Sequence, residues 1–345
     1  MQASRVQTAS SPRSPHLQAR VISGIDIREL GISPGEVFAA VEEAVRAQGA
    51  GQAVLEPRVH LHPPNVDGHF NVLRGHLENK RVSGVKIVGD YVGNYAVGLP
   101  SELALVVLLD PDTGTTRAMI DGTGITEMRT GALTALGARH LARPDSSVLG
   151  HVGARGTSWW NVVYLDAQFN FSEIRVTSRR SSSREQFAER LQDYLQKPVL
   201  AVDTVEKCLR GADIMVEATR LSEPQVLLHT EWVTPGTFVV PYGTISALDI
   251  DLLDVIDKVV VDDWGQATEG PFGALRRHID EGRLTVDTLH AELADIVSGK
   301  RPGRESADER ILFWHRGLST TDVAVAQMIY ERAEAANLGT VLTLH

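Results

Sequence analysis

Cysteine is almost absent from this chain of 345 residues. Cys208 is the only one, so no internal disulfide can form, and a reducing, cytoplasmic setting is expected. Long apolar runs are missing too. None reaches the ~18 residues of a membrane-spanning helix, which excludes that class. Positive charge is short: the net charge of −10 argues against nucleic acid or an anionic membrane as partner. The first residues, MQASRVQTASSPRSPHLQAR, have no apolar centre and do not read as a secretion signal. Their Ser, Pro, Gln and Arg predict a disordered tail over 1–20, with a transit peptide as the alternative. No serine sits in a nucleophile elbow, and Cys208 has no motif around it.

What remains is long enough for two cores. Ser33-Pro34-Gly35-Glu36 predicts a capped helix start before VFAAVEEAVRAQ. Residues 52–120 then read as strands: AVLEPRVHLH, VSGVKIVGDYV, ELALVVLLD and TRAMID, the last two joined by the turn Pro111-Asp112-Thr113-Gly114. From Thr126 the pattern alternates. Helix TEMRTGALTALGARHLA precedes strand SVLGHVG, helix SWWNVVYLDAQF, strand EIRVTSR, helix SREQFAERLQDYL and strand DIMVEAT. Such alternation predicts a doubly wound parallel sheet. The expected fold is therefore α/β. An α+β domain spans 21–125 and is completed by 318–345, and a nucleotide-binding domain of Rossmann type spans 126–317. ELALVVLLD is apolar on both faces, which predicts a homodimer or a larger even assembly.

The turn Gly150-His151-Val152-Gly153-Ala154-Arg155-Gly156 lies between a strand and a helix, where a dinucleotide's pyrophosphate would sit. The spacing departs from G-x-G-x-x-G, because Arg155 stands where the second glycine belongs. Arg155 would either obstruct the dinucleotide or grip its phosphate, and a purely structural turn is the plain alternative. The next strand ends in Thr177-Ser178-Arg179-Arg180, with no acid for ribose hydroxyls. Arginine and hydroxyls suit a 2′-phosphate, so NADP(H) is favoured and NAD(H) remains open. A solvated basic loop is the other reading.

Three cations are candidates for holding an anionic substrate: Arg58 and Lys86 in strands, and Arg129 at the start of a helix. Arginine takes a carboxylate through two parallel hydrogen bonds. Lys86 lies in the apolar run VSGVKIVG, and a buried ammonium needs a partner. His60 and His62 alternate along one strand, but without a third ligand of clear spacing no metal is assigned.

These stretches resemble the ornithine cyclodeaminase and mu-crystallin family, which includes ketimine reductases and amino-acid dehydrogenases. VSGVKIVGDYVGN, GLP, LLDPDTGTTRAMIDGTGITEMRTGALTALGARHLA, ADIMVEAT, KVVVDD and RESADERILFWHRGLSTTDVAVAQMIYERA carry the resemblance. It implies a sheet domain at a dimer interface, a Rossmann domain, and an active site between them. It implies that Arg58, Lys86 and Arg129 bind the substrate's α-carboxylate. It also implies that Gly153, Arg155, Gly156, Thr157, Ser178, Arg179, Arg180, Thr219 and Gly317 line the cofactor. His315-Arg316-Gly317-Leu318 stands where relatives carry a Ser-Val-Gly loop. The segment from Pro241 to Ala247 lacks the Asp that cyclodeaminases carry, and Tyr242 is a proton donor or a structural residue. The expected activity is an NAD(P)-dependent oxidoreductase on a small α-imino or α-amino acid. A cyclodeaminase, or a crystallin-like binding protein, is the alternative.

Overall fold

The computed structural model describes residues 17–221, 223–243 and 245–344. The expected disorder of residues 1–16 lies outside them. The tail ends earlier than expected, because Gln18–Ile22 already form a strand, β1. Helices α1 (Gly24–Glu29) and α2 (Pro34–Gly49) follow. Ser33 and Glu36 form the reciprocal cap of α2 with Pro34 at its first position.

Next come β2 (Ala53–Leu61), β3 (His69–Leu77), β4 (Val82–Asp90), β5 (Glu102–Leu109) and β6 (Thr116–Asp121). Helix α3 (Thr123–Leu141) leads to β7 (Val148–Val152), α4 (Ser158–Phe169), β8 (Glu173–Thr177), α5 (Ser181–Leu195) and β9 (Leu200–Ala201). The chain continues through α6 (Val205–Leu209), β10 (Ile214–Glu217), β11 (Phe238–Pro241) and β12 (Lys258–Val261). Then come α7 (Trp264–Thr268), α8 (Arg276–Asp280), β13 (Ala291–Glu292) and α9 (Leu293–Val297). It closes with β14 (Ile311–Trp314), α10 (Ser319–Ala335) and β15 (Thr340–Thr343).

The first sheet has the order β15-β1-β6-β5-β4-β3-β2, antiparallel except where β1 runs parallel to β6. The second has the order β13-β12-β14-β11-β10-β7-β8-β9, and every pairing in it is parallel. This is the α/β architecture with a doubly wound sheet that the alternation predicts. Its switch point lies between β7 and β10, where ligands of such sheets bind. Among the described residues no helix is long and apolar enough to cross a membrane.

Strand β4 alternates. Val82, Gly84, Lys86, Val88 and Asp90 face inward, and Ile87 faces out. On the inner face Lys86 stands opposite Leu73 of β3 and Val106 of β5. Helix α10 lies across that face, against β3, β4 and β5. The core is continuous from α2 through α3 into the second sheet. Phe70, Ile87, Leu103 and Leu105 line an open hollow on the opposite face.

Candidate active site

Strand β4 carries Lys86 beneath α10, whose first turn presents Asp322. Lys86 Nζ donates to Asp322 Oδ1 at 2.8 Å and to Thr126 Oγ1 at 3.3 Å. From α3, Arg129 Nε donates to the same Asp322 oxygen at 2.7 Å. All three are buried: Lys86 is 2% exposed, Arg129 5% and Asp322 0%. Burial and the Arg129 charge pull the Lys86 ammonium down to about 8, while Asp322 opposes them. Burial would raise Asp322, but Arg129 and Lys86 hold its carboxyl below the usual range. Asp322 Oδ2 is buried without a partner among the described residues.

Arg129 is not at the helix start, as the sequence suggests. Helix α3 begins at Thr123, so Arg129 sits in its second turn. The helix terminus therefore does not act on it. What places it is Asp322 on one side and Gly317 on the other. Gly317 has φ +86°, and a Cβ there would clash with Arg129 Nη1. Only glycine lets the backbone approach the guanidinium so closely.

Arg58 reaches the same loop from β2. Its Nη2 donates to the carbonyls of Arg316 and Gly317, the latter at 3.3 Å. Its Nε donates to Gln266 Oε1 at 3.4 Å. Gln266 Nε2 in turn donates to the Glu56 carbonyl at 2.9 Å, beside the bulge in β2. Burial, with Arg316 and Arg129 nearby, pulls the Arg58 guanidinium down to about 9. Arg316 turns away and donates to the carbonyls of Gln266 and Glu269. Asp262 follows β12, is fully buried, and accepts from the backbone N–H groups of Arg316 and Gly317. Burial pushes its carboxyl up to about 6, and those N–H donors pull it back.

Arg58 and Arg129 thus meet at Gly317, and Arg129 and Lys86 meet at Asp322. Arg58 Nη1 and Arg129 Nη1 and Nη2 donate to no protein acceptor among the described residues. Two clustered guanidiniums with unmet donors beside an ammonium are what a carboxylate takes up. The sequence reading missed Asp322, Asp262 and Gln266. The available signal was an acid inside the otherwise apolar and small-residue run STTDVAVA.

The expected cofactor residues lie along the other wall. Gly153 follows β7 with φ +125°, and a Cβ there would lie 2.6 Å from the Ala218 carbonyl. Beside Gly156, at φ +56°, there is open space. The Arg155 side chain extends out of the turn. Its guanidinium lies 4.6 Å over the Tyr95 ring, which belongs to the segment between β4 and β5. The turn therefore fits a pyrophosphate at the N-terminus of α4. Ser178, Arg179 and Arg180 follow β8. Both arginines are exposed, and neither is in a salt bridge among the described residues. Thr219 follows β10, where its N–H donates to Glu217 Oε1 at 2.8 Å. Burial raises the Glu217 carboxyl, and its Oε2 has no partner among the described residues.

Thr157 hydrogen-bonds through its hydroxyl to Tyr242, and Asn161 donates to that same phenol oxygen. The Tyr242 hydroxyl thus points beneath the glycine turn, and burial raises its pKa. That favours the structural role for Tyr242. Its ring stacks on His315, whose Nε2 lies 2.9 Å from Thr134 Oγ1 and whose pKa burial pulls down to about 3. His62 stacks with His60 and with His69, and His60 is tilted against His69, ring centroids 5.2–5.9 Å apart. Among the described residues no cluster of three His, Cys, Asp or Glu is set to hold a metal ion.

A model of the ornithine cyclodeaminase/mu-crystallin family matches residues 20–337. An alanine dehydrogenase of Archaeoglobus fulgidus is 33% identical, over 89% of this chain and 93% of its own. The fold matches the Δ1-pyrroline-2-carboxylate reductase of Thermococcus litoralis in complex with NADH and L-proline. That match has a TM-score of 0.86 and 30% identity, over 93% of this chain and 99% of that one. It also matches an archaeal alanine dehydrogenase dimer with bound NAD, with a TM-score of 0.84 and 31% identity, over 95% and 100% of the two chains.

Proposed function

This chain belongs to the ornithine cyclodeaminase/mu-crystallin family, and on that premise we propose that it is an NAD(P)-dependent oxidoreductase acting on a small α-imino or α-amino acid. The observation that carries the reading is the set of Arg58, Lys86 and Arg129, tied together through Gly317 and Asp322 and holding unmet donors. The two guanidiniums bind the α-carboxylate. Lys86 stands beside them as the proton-carrying group. In the reducing direction its ammonium donates toward the imino nitrogen, and in the oxidising direction the free amine accepts a proton. Asp322 Oδ1 keeps that ammonium charged and aimed. A bound nicotinamide would supply the hydride to the carbon that bears the nitrogen, or take it up in the reverse direction. The protein supplies position, a buried setting and charge. Gly153, Gly156, Thr157 and Thr219 are the residues that would hold the cofactor.

A cyclodeaminase also needs a base at the substrate amine. Tyr242 spends its hydroxyl on Thr157 and Asn161 and is withdrawn from that role. Following reduced-nicotinamide absorbance with cyclic imino acids, and with α-keto acids plus ammonia, tests the reading. Cofactor oxidation is expected. Ammonia release from a diamino acid with no net cofactor change would overturn it.

Cofactor choice follows from the end of β8. Arg179 and Arg180 are exposed there, beside Ser178, with no acid at the tip. A charge-assisted phosphate contact contributes ~1.5–3 kcal/mol, so NADPH should bind ~10-fold or more tightly than NADH. Titration by tryptophan fluorescence reads this directly, and equal affinities would refute it. A cytoplasmic setting suits Cys208, which is buried and whose thiol burial pushes up to about 12.

Assembly follows from the outer face of the first sheet. Ile87, Leu103 and Leu105 are exposed in a row across β4 and β5. A second copy of this chain covers them, giving a homodimer or a larger even assembly. Light scattering at micromolar concentration should return at least twice the 37.6 kDa of one chain. A monomer there would count against the assignment.

A further inference from the structure

The loop between β14 and α10 is gripped by opposite charges on opposite edges of one peptide. Asp262 Oδ2 accepts the Arg316 N–H at 2.9 Å and the Gly317 N–H at 2.8 Å. Its Oδ1 accepts the Asp263 N–H at 3.0 Å. In a trans peptide the N–H and the preceding C=O point opposite ways. Turning the Gly317 N–H to Asp262 therefore turns the Arg316 carbonyl away from it, and that carbonyl is the one Arg58 Nη2 grips. The same peptide enters Gly317, whose Cα lies against the Arg129 guanidinium. Asp262 touches neither arginine's free donors, yet it sets the surface on which both rest.

We propose that Asp262 is the positioning residue of the substrate site, aiming Arg58 and Arg129 at the substrate carboxylate through the Arg316–Gly317 peptide. This rests on the reading that those arginines bind the carboxylate. A plain structural role would be to satisfy two buried N–H groups. The two roles differ in what they move. β12 and β14 pair in parallel from Lys258 to Val261, so the loop's roots stand without the carboxylate. The glycine turn lies on other strands.

The test is Asp262→Asn in the full-length protein. The amide keeps the shape but offers only one acceptor atom where two oxygens take three N–H groups. Misplacing the arginines by about an ångström should raise KM for the amino or imino acid ~10–100-fold. The dissociation constant for NADPH, read by tryptophan fluorescence, should stay within ~2-fold, and kcat should change much less than KM. An unchanged KM overturns the assignment. So does a parallel loss of cofactor affinity and melting temperature, which would make the carboxylate a fold residue. Should Asp262→Asn not fold, Asp262→Ser carries the same comparison, and failure of both to bind NADPH also overturns it. Arg58→Ala, assayed alongside, separates the two layers. If it raises KM and Asp262→Asn does not, only the positioning role fails. If Arg58→Ala leaves KM unchanged, the carboxylate reading falls, and this role with it.

Discussion

Arg129→Ala should lower kcat/KM by ~30- to 1000-fold, because a buried charged contact to the substrate carboxylate is worth ~2–4 kcal/mol. It should also lower the melting temperature by a few degrees. The second effect follows from Asp322, which is fully buried and takes a hydrogen bond from Arg129 Nε. A hydrogen bond to a charged group is worth ~1.5–3 kcal/mol, and here its loss leaves Lys86 as the sole cation on Asp322. Arg129→Lys separates the effects. A lysine can restore charge beside Asp322 but lacks the forked donors for a carboxylate. It should recover much of the stability and little of the substrate affinity. Steady-state kinetics and thermal melts on both variants give the result. An Arg129→Ala enzyme with full activity would rule out the carboxylate role.

Asp322→Asn should cost more stability, ~3–5 kcal/mol, because two buried cations lose the carboxylate they share. Its signature lies in the pH profile. In the native protein the Lys86 ammonium is lost as pH rises through about 8. For imine reduction, kcat/KM should therefore fall above about 8, and for amine oxidation it should rise there. Asp322 is the partner that raises the Lys86 value against burial and Arg129. Without its charge both limbs move to lower pH. Calorimetry and pH-rate profiles in the two directions check this. Limbs that stay in place would mean that Lys86 is not the titrating group.

Much of the site was legible because its parts carry local contradictions. Lys86 announces itself as a charge inside VSGVKIVG, a run that otherwise reads as a buried strand. Gly153 sits at a strand end before an apolar helix, and its positive φ is what such a turn requires. Other parts carry no local trace. Strand β3 holds His69, Asn71, Arg74 and His76 among its apolar residues, and its pattern is set by partners on both sides rather than by alternation. Arg129 was placed at a helix start because the apolar pattern begins near Thr126, whereas the α-helix begins at Thr123. Asp322 meets Lys86 across 236 positions, and nothing in either neighbourhood specifies that pair. From its place in the turn Arg155 reads as either an obstruction to a dinucleotide or a grip on its phosphate, and only the fold brings Tyr95 beneath its guanidinium. Interactions that close over short spans can be read from the chain. Those that join distant parts of the chain cannot.

The first sheet joins strands that lie far apart in the sequence. β15 pairs with β1, and α10 covers the inner face of β3 and β4. A ribosome therefore delivers β2 to β6 long before the helix that must lie on them, and makes the whole parallel sheet in between. Lys86 waits as an unmatched charge until Asp322 emerges. The segment that carries Asp322 is made well after the strand that carries Lys86, and its arrival is what makes the buried ion cluster electrically whole. A nascent chain that has not yet reached Asp322 would carry the whole parallel sheet beside an ion cluster that lacks its acid.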